Sequence, residues 1–171
     1  MCMKKLLLSL LVFLATAVTA QTTWKDASTG LAMVTVGPWK VKPATSKNAI
    51  ALCYLQNTRT FSENGDITIR TGKSAREMAK KDYAGTRDSA LAAKNATKAN
   101  VLAESPLGSG YQIAYLLTGK HSTFVAATYY PLVKQPGKFG RCMVRAIVTD
   151  EAAAAAKWKE YQPLLAGFSA H

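Results

Sequence analysis

Two histidines, His121 and His171, and three cysteines, Cys2, Cys53 and Cys142, are the side chains of this 171-residue chain best suited to nucleophilic or metal chemistry. Their spacing does not favour it. A Ser-His or Cys-His pair needs a base beside a singled-out nucleophile, whereas His121 opens a strand-like segment and His171 is terminal. No H-E-x-x-H, G-x-S-x-G, phosphate-loop or dinucleotide-type glycine pattern occurs. Among the ten acids only Asp150 and Glu151 are adjacent, and an acidic pair there suits the positive end of a helix dipole. Carboxylates can also meet from distant strands, as in glycoside hydrolysis, which keeps Glu63, Asp66 and Glu104 in view. The pattern favours a protein that is not an enzyme and takes neither metal nor cofactor.

The segments that must position these residues begin with a leader. Lys4 and Lys5 precede an apolar run from Leu6 to Val18, and Val18-Thr19-Ala20 places small residues at cleavage-site positions. Residues 1–20 therefore read as a secretory signal peptide cut after Ala20, with Ala15-Thr16-Ala17 as a second site. The apolar run falls short of the ~20 residues that span a bilayer, so no transmembrane anchor is expected after cleavage. Cys2 lies before the run, where it cannot be the acylated cysteine of a lipoprotein. Residues 21–171 then form one domain by length. Removing the leader with its two lysines leaves 20 basic and 10 acidic side chains, lowering the formal charge from +12 to +10. A periplasmic or secreted location follows. In an oxidising compartment Cys53 and Cys142, 89 positions apart, are expected to form a disulfide worth on the order of 4 kcal/mol.

Trp24 to Lys42 reads as two short extended segments, with a turn at Ser28-Thr29-Gly30 and an interruption at Gly37-Pro38. Ala49 to Leu55 suits a buried strand, and Asn64-Gly65 signals a hairpin before Ile67 and Ile69. Ser74 and Glu77 form a capping-box pattern that opens a helix running to about Ala93, with Gly85 a weak point. From Lys98 to Asp150 the apolar period is two, giving four strands separated by Ser105-Pro106, Gly119-Lys120 and Gln135-Pro136-Gly137. Such short connections favour antiparallel neighbours, since a parallel crossover needs about a dozen residues or more. A last helix starts at Asp150-Glu151 with Ala154, Trp158, Tyr161, Leu165 and Phe168 on one stripe, and Pro163 is expected to kink or end it. The order predicts an α+β fold with an antiparallel sheet of about six to seven strands flanked by helices.

The opening pattern of an aromatic residue, then Gly30-Leu31, then Gly37-Pro38-Trp39 resembles the first hairpin of the PsbP-like group, with Pro-Gly in reversed order. The closing Phe168-Ser169 pair after the last helix is also similar. The resemblance implies an α/β/α sandwich used mainly as a non-catalytic docking or chaperone-like module, with no catalytic set to carry over.

Surplus positive charge is the remaining functional lead. Arg76, Lys80, Lys81 and Arg87 load the first helix, while Lys134, Lys138 and Arg141 surround a Pro-Gly turn that also carries Phe139. Solvated faces would account for these, since surface helices are normally charged. The functional alternative is a basic surface docking an acidic protein or an anionic envelope component, with Phe139 or Tyr130 as apolar anchor. On that reading the protein is an accessory, chaperone-like or inhibitor protein. Nucleic acid is not expected, because the basic residues are not interleaved with stacking aromatics. A second class, a carrier or sensor of a small or lipidic anionic ligand between sheet and helices, is motivated by Tyr111, Tyr115, Tyr129, Tyr130 and Trp158. Core packing competes with that reading.

Overall fold

The computed structural model describes residues 21–43 and 53–171. The expected signal peptide at 1–20 and the start of the strand expected from Ala49 lie outside the described residues. In chain order the elements are β1 (Thr22–Asp26), β2 (Leu31–Thr35), β3 (Trp39–Pro43), β4 (Cys53–Asn57), β5 (Asn64–Thr71), α1 (Ala75–Ala92), β6 (Lys98–Leu107), β7 (Gly110–Thr118), β8 (Ser122–Pro131), β9 (Lys138–Val148), α2 (Glu151–Ala166) and β10 (Phe168–Ala170).

Seven strands form an antiparallel sheet in the order β3-β4-β5-β9-β8-β7-β6, and a small second sheet has the order β1-β2-β10. This is the expected α+β fold. The period of two along β7, β8 and β9 sends alternate residues to two separate cores. On one side Ile113, Tyr115, Val125, Ala127, Phe139 and Met143 pack under Ala75, Met78 and Ala79 of α1. On the other, Leu116, Phe124, Val144 and Ala146 meet α2 through Tyr161, Leu164 and Leu165, and meet the small sheet through Leu31, Met33 and Phe168.

Both helices start where local chemistry says they should. Ser74 Oγ accepts from Glu77 N at 3.1 Å, and Asp150 Oδ1 accepts from Ala153 N at 2.7 Å, each satisfying an otherwise free amide of the first turn. α1 runs unbroken through Gly85, and α2 continues past Pro163, whose missing N–H falls at an exposed position. No helix among the described residues is long and apolar enough to cross a membrane.

Two turn expectations need correction. Asn64-Gly65 begins β5 rather than a hairpin loop, because Gly65 sits where a Cβ would collide with the backbone carbonyl of Met143 on β9. Ser105-Pro106 lies inside β6, an edge strand where a proline needs no second partner. The turn that follows is Gly108-Ser109, and Gly108 supplies the positive φ, +59°, that so tight a loop demands. The C-terminal strand β10 was not expected at all. It pairs with β2, and Gly30 must be glycine there because a side chain would strike the His171 carbonyl oxygen.

The expected disulfide does not form. Cys53 on β4 pairs opposite Ile67 on β5, and Ile67 pairs opposite Cys142 on β9, so a whole strand separates the cysteines. At about 4.8 Å per strand their Cα atoms are roughly 10 Å apart, beyond the ~7 Å a disulfide can bridge. Cys142 is a free, fully buried thiol. Burial, with the Asp66 carboxylate adding to it, pushes this thiol well above its ordinary pKa. The Cys142 peptide should therefore stay unmodified when the native protein meets iodoacetamide, and become alkylated in concentrated guanidinium without reductant. Modification that needs prior reduction would show a disulfide instead.

Candidate functional site: an open half of the large sheet

α1 lies over β6, β7 and β8. Among the described residues no helix covers β3, β4 and β5 on that side. The rows of the register run Lys42, Tyr54, Asp66, Met143 and, one residue pair away along the strands, Lys40, Gln56, Asn64, Arg145. Strand alternation thus sets lysines, a tyrosine and an arginine across one open face.

At the border between this open half and α1, a network of charges replaces an apolar seam. Arg141 on β9 is buried and donates to Asp66 Oδ1 at 2.5 Å and to Asp82 Oδ2 of α1 at 2.9 Å. Asp82 also accepts from Tyr129 OH at 3.1 Å and Arg70 Nε at 3.2 Å. Arg145 Nη2 donates to Asp66 Oδ2 at 3.2 Å. Burial works against the Arg141 cation, but Asp66, Tyr129 and Asp82 outweigh it and hold its pKa above the ordinary range. Burial chiefly, with Asp82 adding to it, pushes the Tyr129 phenol far up, so it stays a neutral donor.

A cleft of about 490 Å³ opens beside this network, lined by Lys42, Tyr54, Gln56, Phe61, Asp66 and Arg145 among others. Phe61 is 91% exposed and Tyr54 56%. Ile147, two residues beyond Arg145 on the same face of β9, is 58% exposed. Tyr54 and Phe61 line the cleft, whereas Ile147 lies opposite Thr123 of β8, beside the β7–β8 turn.

Phe61 is held out by a fastened loop. Glu63, buried at the loop's end, accepts from Asn57 Nδ2 at 2.5 Å and forms an ion pair with Lys157 of α2. Asn57 Oδ1 accepts from Arg59 N at 2.9 Å, and Thr58 Oγ1 donates to Pro38 O at 2.9 Å. Burial, joined by Glu63 nearby, raises the Tyr161 phenol.

The residues singled out by sequence divide sharply. Phe139 points into the core under α1, and Arg141 is buried in the ion-pair network, so neither presents a surface to a partner. Both follow from alternation along β9, whose α1-side residues are Phe139, Arg141, Met143 and Arg145. Arg87 is spoken for by Asp88, at 2.8 Å, and lies over the Tyr83 ring. Arg76, Lys80, Lys81, Lys134 and Lys138 are exposed and form no ion pair among the described residues. A bond from Gly72 N to Gly137 O, 3.0 Å, joins the Lys134–Lys138 turn to the segment that leads into α1. Arg87 lies about 16 Å farther along the helix than Arg76, so the chosen cations form no single patch.

The tyrosines also part company. Tyr111, Tyr115 and Tyr129 belong to the core under α1, whereas Tyr130 and Trp158 pack against the α2 core. They do not line one ligand cavity. Of the candidate carboxylates, Glu63 and Asp66 both border the cleft, but each is already engaged by cations and Glu104 is remote from them. Asp66 is held by two arginines, Glu63 by Lys157 toward α2, and Glu104 lies on the far edge strand β6. His121 is an exposed turn residue, and His171 Nε2 lies 3.0 Å from Ser169 Oγ. No group of metal-ligating side chains occurs among the described residues.

Sequence reasoning missed Tyr54, Phe61, Ile147, Lys40, Lys42 and Arg145. Phe61 carried a signal, an isolated aromatic within the polar run Thr58-Arg59-Thr60-Phe61-Ser62-Glu63-Asn64. Arg145 and Ile147 were legible as the outward partners of Val144, Ala146 and Val148.

No family model and no curated protein sequence matches the chain. Solved structures do. Cyanobacterial PsbP (CyanoP) from Synechocystis sp. PCC 6803 superposes with a TM-score of 0.61 at 12% identity, over 92% of this chain and 96% of that one. The fold is PsbP-like. The Ran-binding protein Mog1p of Saccharomyces cerevisiae is similar to the same degree, with a TM-score of 0.63 at 10% identity over 89% of this chain and 96% of that one. The PsbP-like arrangement expected from the opening and closing motifs is thus present. It includes the large antiparallel sheet between two helices, with the small sheet on the α2 side.

Proposed function

We propose that this protein is an exported, non-catalytic docking module of the cell envelope that binds an acidic protein partner through the open half of its large sheet. The observation that carries this reading is the pairing of exposed Tyr54 and Phe61 with Lys40, Lys42 and Arg59, cations that form no ion pair among the described residues. Aromatic and arginine side chains are the usual energetic centres of protein interfaces. The fastened 58–63 loop presents Phe61 ready-made, which lowers the ordering entropy of association. A PsbP-like fold shared with a Ran-binding protein is consistent with a binding role. Export rests on the leader pattern at residues 1–20.

The test compares three baits against envelope extract, followed by affinity measurement with the purified captured partner. Wild type and the Lys134→Glu/Lys138→Glu variant should retain a stoichiometric acidic protein. Tyr54→Ala/Phe61→Ala should bind it at least about tenfold more weakly, a loss expected of two interface anchors. Failure to capture any stoichiometric partner would overturn the reading. So would loss of binding in the Lys134/Lys138 variant with Tyr54→Ala/Phe61→Ala unaffected.

A further inference from the structure

Arg145 uses little of its hydrogen-bonding capacity. Its Nη2 donates to Asp66 Oδ2 at 3.2 Å and lies 3.8 Å from Met143 Sδ, while Nε and Nη1 have no partner among the described residues. Its side chain is 41% exposed and forms part of the cleft wall beside Tyr54 and Phe61. The Asp66 contact matters because it orients the guanidinium. A planar fork held at one nitrogen, with further N–H groups open to solvent, is set up to take a carboxylate with more than one hydrogen bond.

The charge balance of the cleft points the same way. Asp66 is already shared between Arg141 and Arg145, and Glu63 is engaged by Asn57 and Lys157. Lys42, at the other side of the cleft, has no acidic partner among the described residues. A cleft of about 490 Å³ has room for a few side chains but not for a folded element. Resting on the docking function proposed above, we infer that this cleft reads a short acidic peptide segment of the partner. A glutamate or aspartate of that segment sits on Arg145, and a neighbouring apolar side chain lies against Tyr54 and Phe61. Asp66 is then a positioning residue, which fixes the fork without touching the partner.

The test titrates the full-length, ¹⁵N-labelled protein with acetyl-Glu-Leu-Glu-Phe-amide and with its glutamine counterpart, acetyl-Gln-Leu-Gln-Phe-amide, following amide shifts. The acidic peptide should perturb β4, β5, the 58–63 loop and β9 around Arg145, and should bind about tenfold more tightly than the glutamine peptide. Arg145→Gln should abolish that preference. Arg145→Lys retains the charge but not the fork, and should bind the acidic peptide several-fold more weakly than wild type. Arg145 is partly exposed, so both variants are expected to fold, and their unperturbed spectra check this. Equal binding of the two peptides, no binding of either, shifts centred on Lys134 and Lys138, or wild-type affinity in Arg145→Lys would each overturn the inference. If any of these occurs while Tyr54→Ala/Phe61→Ala still loses the captured partner, the docking function stands and only the carboxylate-reading cleft falls.

Discussion

Replacing Arg141 with alanine is expected to destabilise the fold by about 3–5 kcal/mol, the range for removing one member of a buried ion pair. The Arg141 side chain is almost wholly buried, and its two carboxylate partners are themselves largely buried. Without it, Asp66 keeps only the more exposed Arg145 and Asp82 keeps only Arg70 and the Tyr129 hydroxyl. The negative charges would remain in a poorly solvated place with too little compensation. In urea unfolding this should appear as a fall of more than about 1 M in the midpoint. Lys138→Ala, three residues away in sequence but exposed at the turn, should stay within about 0.5 kcal/mol of wild type. An Arg141→Ala loss under about 1 kcal/mol would mean that water reaches both carboxylates and the network is not structural. A binding defect in Arg141→Ala must therefore be read as a folding defect first.

The second large effect concerns the C-terminal strand. Phe168→Ala is expected to cost about 3–5 kcal/mol, the usual range for emptying a fully buried phenylalanine site. Phe168 is completely buried, its ring lies 6.1 Å from that of Tyr130, and its backbone pairs with Met33. It thereby joins the small sheet to the large one. Gly140 on β9 provides the space, since a side chain there would run into Leu31 and Phe168. A drop of roughly 10 °C in melting temperature should accompany the substitution. Amides of β2 should also exchange faster in the variant, because β10 would no longer be clamped beside them. A loss below about 1 kcal/mol with unchanged exchange in β2 would show that the small sheet stands without this side chain.

Much of the fold was legible because its signals are local. The Ser74 cap, the Asp150 cap and the period-two run from Lys98 onward each depend on residues within a few positions of one another. The errors arose where a local signal served another purpose. Gly65 is glycine for close approach to β9, not for a turn, and Pro106 is tolerated because β6 is an edge. The same distinction explains the site. Arg141 and Phe139 flank a Pro-Gly turn in sequence and looked solvent-facing, but β9 turns both toward the border of α1, where Phe139 enters the core and Arg141 pairs with Asp82.

The cysteines show the limit most plainly. Their residue types and number invite a disulfide, yet strand order, a property of the whole sheet, sets β5 between them.

The sequence by itself determined both helices and their caps, the antiparallel connectivity of β6 to β9 and the surplus of positive charge. Each of these is encoded by spacing along the chain. Only the tertiary structure decided which side of each strand is covered. α1 lies across β6, β7 and β8, so the same alternation that buries Arg141 leaves Arg145, Tyr54 and Ile147 in the open. Whether a side chain of β9 becomes core or surface depends on a helix dozens of residues distant, and no local pattern records where that helix will come to rest.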